Sequence, residues 1–169
     1  DAVKFQMFLD PNPDTMFCWI NGDSERAPGW YQSAMEYPRW EQVKNEADKL
    51  GIMFLASAFE HETVRWQTEL KVAATKVASR AAGYLDAFKD APRPLLVSNG
   101  MTSVAPAEDR IILQCEANYP STTKWSGEYP GFSDHSGDPC LAINALARGC
   151  KLIEVHFYID PLDAGPNLP

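Results

Sequence analysis

Seven short runs of Val, Ile, Leu, Phe and Ala, most of them finishing in polar residues, constrain this chain more than any other feature. They read DAVKFQ, IMFLASAF, AATKVAS, PLLVSNG, RIILQCEA, GFSDHS and KLIEVHF. Near-continuous apolarity over a few residues is what a strand buried on both faces requires, so the runs predict parallel strands covered by helices. The polar residues cluster at one end of each run: Lys4 and Gln6, Ser57, Lys76 and Ser79, Ser98 and Asn99, Ser133 to His135, and His156. In an α/β barrel the C-terminal strand ends share one mouth, which is where such residues would meet.

The intervening helices announce themselves at their ends. From Pro38 to Leu50, Trp40, Val43, Ala47 and Leu50 recur at helical spacing, with proline in the first turn and Gly51 just past the end. Asp138 reads as an N-cap and Pro139 as the first residue of a helix that stops at Gly149 and leads into KLIEVHF. Shorter helices fit Glu62–Leu70 and Tyr84–Asp90. The connections MTSVAPAEDR and PSTTKWSGEYP are too short and proline-rich for full helices, and PNPDTMFCWINGDSERAPGWYQ has the composition of a long loop, a lid or substrate wall at a barrel mouth.

At 169 residues, 45% hydrophobic and 22% charged, the chain is expected to form a single domain with a real core. A net charge of −8, with no basic run interleaved with aromatics, argues against nucleic acid and anionic lipid as partners. No apolar run approaches the ~20 residues that span a bilayer. Cys18, Cys115, Cys140 and Cys150 form no CxxC pair, so structural zinc is disfavoured and reduced thiols in the cytoplasm are the expectation.

His135 and His156 end adjacent predicted strands and could reach one ion, imidazole suiting manganese, iron or zinc; the alternative is a pair of satisfied loop or core histidines. Asp134 could orient or weakly ligate at the same place, and His61 reads as solvent-facing. Lys4 and Lys76 lie in predicted buried strands, where a lysine is costly without an anion. Ser57, Ser79, Ser98 and the Asn99-Gly100 backbone would add donors for a phosphate. Pairing of the lysines with a protein carboxylate such as Glu116 or Glu154 explains them equally.

Taken in order, DAVKFQ, GIMFLASAF, TKVAS, LLVSNGM, LQCEANYP, GFSDHS, IEVHF and GPN resemble the N-acetylneuraminate (sialic acid) synthase family over almost the whole chain. The resemblance implies a TIM (β/α)8-type barrel that condenses phosphoenolpyruvate with an amino-sugar aldehyde, N-acetylmannosamine or a similar sugar, giving a nine-carbon α-keto acid and phosphate. It implies a divalent metal cofactor, typically Mn2+, on His135 and His156. It places Lys4, Ser57, Lys76, Ser79, Ser98 and Gly100 on phosphoenolpyruvate, with Lys4 and Lys76 the catalytic pair and serine standing at position 57 where threonine is usual. Gln6, Phe59, Tyr119 and Asn167 fall on the sugar side.

The departures carry expectations too. The family's first strand, with its catalytic glutamate and NHxG-like element, has no counterpart before Asp1, so the barrel is expected to be incomplete, either in itself or until a partner completes its sheet. Residues 1–169 then form a single partial barrel domain without the family's C-terminal antifreeze-like domain, and a homo-oligomer stays open. Arg80 and Ala81 stand where the fourth-strand motif ends in glutamate, Gln114 stands for histidine, Ala117 for a polar residue, and Asn167 for an acid. Because most of these changes fall on the sugar side, the alternative is a degenerate, non-catalytic member that binds anion or metal only.

Overall fold

The computed structural model describes residues 1–157. All seven expected strands form: β1 (Ala2–Met7), β2 (Met53–Ala58), β3 (Thr75–Val77), β4 (Leu95–Ser98), β5 (Arg110–Cys115), β6 (Gly131–Asp134) and β7 (Leu152–Val155). They make one sheet in chain order, each pair parallel. The sheet curls until its outer strands face each other, since Lys4 Nζ on β1 lies 3.4 Å from Glu154 Oε1 on β7. β1 and β7 do not pair, so the sheet of the described residues is a barrel one strand short of eight, as the sequence led us to expect.

Strand alternation explains the vertical order inside. Side chains two residues apart share a face. Leu55, Ala74, Leu96 and Leu113 form an apolar floor against which Leu152 packs. Two residues further along each of these strands come Ser57, Lys76, Ser98, Cys115 and Glu154, a polar layer on the same inward face. The opposite face of β2, Phe54 and Ala56, packs with Trp40, Ala47, Trp66 and Leu70 of the outer helices.

Among the described residues four α-helices cover the sheet. α2 (Tyr37–Lys49) and α4 (Pro139–Ala147) match the expected segments, and Asp138 caps α4 by accepting from Cys140 N at 2.9 Å. α3 (His61–Glu69) lies where the short helix was expected. Two expectations need correction. The run read as a long loop contains α1 (Asp23–Ser33), disguised by Pro28 and Gly29 inside it; Ala27 is buried and Trp30 packs on the core. The helix expected over Tyr84–Asp90 is a 3₁₀ segment, Ser79–Phe88, interrupted at Tyr84, where φ −121° and ψ 39° leave the helical region. The proline-rich connections after β4 and β5 carry no helix. Among the described residues no helix is long and apolar enough to cross a membrane.

The floor predicts its own sensitivity. Leu113 is fully buried at its centre, so Leu113→Ala should lower unfolding free energy by about 2–5 kcal/mol in urea denaturation; a change near zero would mean that the barrel interior is not packed as described.

Candidate active site at the strand ends

The polar layer opens into a cavity whose wall includes Lys4, Gln6, Ser57, Phe59, Lys76, Ser79, Ser98, Tyr119, His135 and His156. The structure therefore brings together all but two of the residues that the family resemblance assigns to the site. Asn167 lies outside the described residues. Gly100 sits behind the wall: a Cβ there would lie 3.0 Å from Ser79 Oγ and 3.1 Å from both Ala117 N and Cys115 O, so only glycine lets these backbones approach.

At the base lies a charged cluster with Glu154 at its centre. Its carboxylate takes Lys4 at 3.4 Å on Oε1 and Lys76 at 3.3 Å on Oε2, and Ser133 Oγ donates to it at 2.7 Å. Lys76 Nζ also donates to Ser98 Oγ at 2.9 Å and to the Val77 carbonyl at 3.1 Å. Of the two carboxylates that the sequence offered the lysines, Glu154 pairs with both, while Glu116 turns to Ser121, Thr123 and Asn118 instead. One carboxylate for two ammonium groups still leaves one positive charge. Burial pushes the Glu154 carboxyl up, but Lys76 and Lys4 outweigh it and hold the group well below the usual carboxylate range. Burial lowers Lys76, against the pull of Glu154.

Beside this cluster, Ser57 Oγ and Ser79 Oγ are buried with no hydrogen-bond partner among the described residues. A buried hydroxyl without a partner costs about 1–3 kcal/mol, and two of them on the wall of a cationic cavity have donors that a ligand rich in acceptors could take. Ser98 is instead committed to Lys76. Phe59 reaches the cavity as the base of an aromatic stack, with Phe8 at 4.8 Å and Trp30 on the far side of Phe8 at 5.5 Å.

The imidazoles of His135 and His156 are 5.0 Å apart and nearly perpendicular. Both Nε2 atoms lie near the Tyr119 hydroxyl, at 2.9 Å from His135 and 3.3 Å from His156, and the Tyr119 ring stacks 4.0 Å above His135. Burial lowers His135, and burial together with Lys4 brings His156 down to about 4, so both rings favour the neutral form near pH 7. Convergent neutral imidazoles fit a divalent ion completed by other donors, for which the phenol oxygen would have to move. No group of three or more His, Cys, Asp and Glu with that capacity exists among the described residues. Asp134 does not join in: it accepts from Ser136 N at 2.9 Å and shapes the turn. Gln114 also faces away, bonded to Ser126 and Lys124.

A family model described as the NeuB family matches residues 1–169. The chain belongs to the NeuB family. It is 27% identical over its whole length to the spore coat polysaccharide biosynthesis protein of Bacillus subtilis, covering 53% of that protein. It is 26% identical over 73% of its length to the N-acetylneuraminate-9-phosphate synthase of Mus musculus, covering 42%. A crystal structure of the N-acetylneuraminic acid synthetase of Leptospira borgpetersenii superposes with TM-score 0.80 at 22% identity over 98% of this chain and 65% of that one, which establishes the shared fold. This NeuB-family chain spans about half the length of the curated relatives it matches. Members of its cavity wall that were not singled out as site residues from the sequence include Cys115, whose thiol burial pushes up, and Arg26 and Trp30, carried by the unforeseen helix α1.

The pH dependence of stability follows from the imidazoles. His156 titrates near its ordinary 6.5 when unfolded and at about 4 when folded, so between these values the unfolded chain binds the extra proton and stability falls as pH drops. Thermal melts from pH 7 to 5 should show a falling midpoint, and His156→Asn should reduce that fall; an identical slope in the variant would refute the assignment.

Proposed function

We propose that this chain is the phosphoenolpyruvate-binding and metal-binding part of a synthase that condenses phosphoenolpyruvate with an amino-sugar aldehyde of the N-acetylmannosamine kind, yielding a nine-carbon α-keto acid and phosphate. The observation that carries the reading is the cationic cluster of Lys4 and Lys76 around a single carboxylate, facing the unpartnered hydroxyls of Ser57 and Ser79. Membership of the NeuB family and the synthase names of its relatives support the same chemistry.

In this reading the phosphate lies against Lys4 and Lys76, which neutralise charge as the C–O bond breaks, and Ser57 and Ser79 donate to its oxygens. Glu154 holds both lysine side chains in place before substrate arrives. The enol carbon attacks the aldehyde carbon, water adds to the resulting cationic carbon, and phosphate departs. His135 and His156 would hold the divalent cation, manganese being the expected ion, whose chemistry when bound is polarisation of the aldehyde oxygen. Tyr119 and Gln6 stand at the acceptor side, and holding two substrates in one cavity supplies much of the rate advantage. A cytoplasmic location belongs to this reading, with Cys18, Cys115, Cys140 and Cys150 all free thiols.

Two measurements test it. In calorimetric titration His135→Ala and His156→Ala should each weaken manganese binding by at least about tenfold; unchanged affinity would remove the metal site. In the longest form its gene encodes, the protein should release phosphate from phosphoenolpyruvate only with manganese and an acylated hexosamine, and Lys76→Met should raise the Kd for phosphoenolpyruvate while the fold persists. Manganese and phosphoenolpyruvate binding with no phosphate release from any acceptor would favour the non-catalytic alternative.

A further inference from the structure

The phenol of Tyr119 stands against both imidazoles that the proposed metal site needs. Its hydroxyl lies 2.9 Å from His135 Nε2 and 3.3 Å from His156 Nε2. Its ring stacks on His135 at 4.0 Å and tilts against His156 at 5.1 Å. A phenol carries one proton, so it donates to one of the two nitrogens; the other either donates its own proton to the phenol oxygen or has no partner there. An imidazole nitrogen has a single lone pair, which serves a hydrogen bond or a cation but not both. At least one nitrogen of the pair is therefore capped by Tyr119.

The connection after β5 is folded so as to hold this contact. Tyr119 is half-buried between exposed neighbours, Ala117, Asn118 and Pro120, so packing of the adjacent side chains does not fix it. The Glu116 carboxylate does. It accepts from Asn118 Nδ2 at 3.2 Å on one side of the tyrosine, and from Ser121 Oγ at 2.6 Å and Thr123 Oγ1 on the other, closing the connection into a loop. Thr123 N donates to Ser121 Oγ at 3.0 Å, and Ser121 N donates to the His135 carbonyl at 2.9 Å, tying the loop to the strand end that carries the histidine. Glu116 is not part of the cavity wall, so its side chain acts on the loop and not on a ligand.

We propose that Tyr119, clasped by Glu116, is an autoinhibitory latch on the imidazole pair, its hydroxyl competing with a divalent cation for the same two nitrogens. This rests on the metal site proposed above and concerns its regulation. The latch has two opposed effects. It keeps the rings beside each other, 5.0 Å apart, which favours their joint use. It also withholds them, because the phenol has to turn away before both nitrogens are available, and affinity for the cation falls by the fraction of molecules in which it has done so. Two hydrogen bonds of ordinary strength lower that affinity roughly 5–50-fold. The metal concentration at which the site fills is thus set by the loop as well as by the histidines.

The test titrates manganese into the protein in the longest form its gene encodes, without substrates, counting the free ion by its electron paramagnetic resonance signal. Tyr119→Phe keeps the ring and its stacking but has no hydroxyl, and should bind manganese roughly 5–50-fold more tightly than the parent. Glu116→Gln, which loosens the loop and leaves the phenol in place, should tighten binding by a smaller factor. A second readout needs no metal: in Tyr119→Phe treated with chelator, the ring 15N resonances of His135 and His156 should move toward those of imidazole nitrogens without partners. Equal manganese affinity in Tyr119→Phe overturns the latch, and so does weaker affinity, which would make the phenol a support of the site. In either case the metal site stands as long as His135→Ala still weakens binding. Unmoved imidazole resonances overturn the latch as well. Absence of manganese binding in the parent and in Tyr119→Phe alike overturns the metal site and the latch with it, so the two readings fail by different results.

Discussion

The Glu154 carboxylate, held between Lys4 and Lys76, joins the first strand of the sheet to the last and sets the charge of the cavity. No backbone hydrogen bonds link β1 to β7, so side chains meet across that gap where a ladder is missing. A buried lysine is expensive alone, and a buried carboxylate more so. Together, with Ser133 and Ser98 filling further bonds, they form a satisfied group with one charge to spare. That surplus gives the top of the barrel a positive charge, whereas the floor two residues below is closed by leucine and alanine.

The same division runs through the whole cavity. Apolar and polar layers alternate with the pleat, so no long-range device is needed to gather the site: parallel strands in common register place their last inward side chains at one level. Elements added outside the sheet then differentiate it. Tyr119, from the connection after β5, reaches the two imidazoles. Helix α1, from the connection after β1, brings Asp23, Arg26 and Trp30 to Arg80. The base is built from strand ends and the rim from connections, which is the arrangement by which one barrel can keep a shared half-reaction and vary its acceptor.

Much of this was legible in the sequence because it depends on local pattern. Seven strands follow from seven apolar runs, and α2 and α4 from a proline at one end and a glycine at the other. The inward line from Lys4 to His156 could be drawn once the strands were placed. What escaped depends on contacts between distant residues. α1 contains Pro28 and Gly29, and its low apolar content gives no helical stripe; burial of Ala27, packing of Trp30 and the pairing of Asp23 with a residue 57 positions away hold it in place. Arg80 could be noticed as a departure from the family pattern, yet nothing in its neighbours names Asp23 as its partner. Glu154 was one of two candidate carboxylates, and only register decides: Ser133 pairs with Glu154, which puts its side chain on the face of Lys76. The 3₁₀ segment after β3 escaped for a similar reason, since alanine and leucine there suit either helix.

The central claim is that the lysines and the imidazoles serve one reaction space. Co-crystallisation of the protein with manganese and phosphoenolpyruvate, read by anomalous diffraction from the metal, tests it most directly. The account predicts an anomalous peak bound to Nε2 of both His135 and His156, with Tyr119 displaced from its present point. It predicts the phosphate of the same complex within hydrogen-bond reach of Lys4, Lys76, Ser57 and Ser79. Metal on other residues, or a phosphate bound away from the Glu154 cluster, would contradict it.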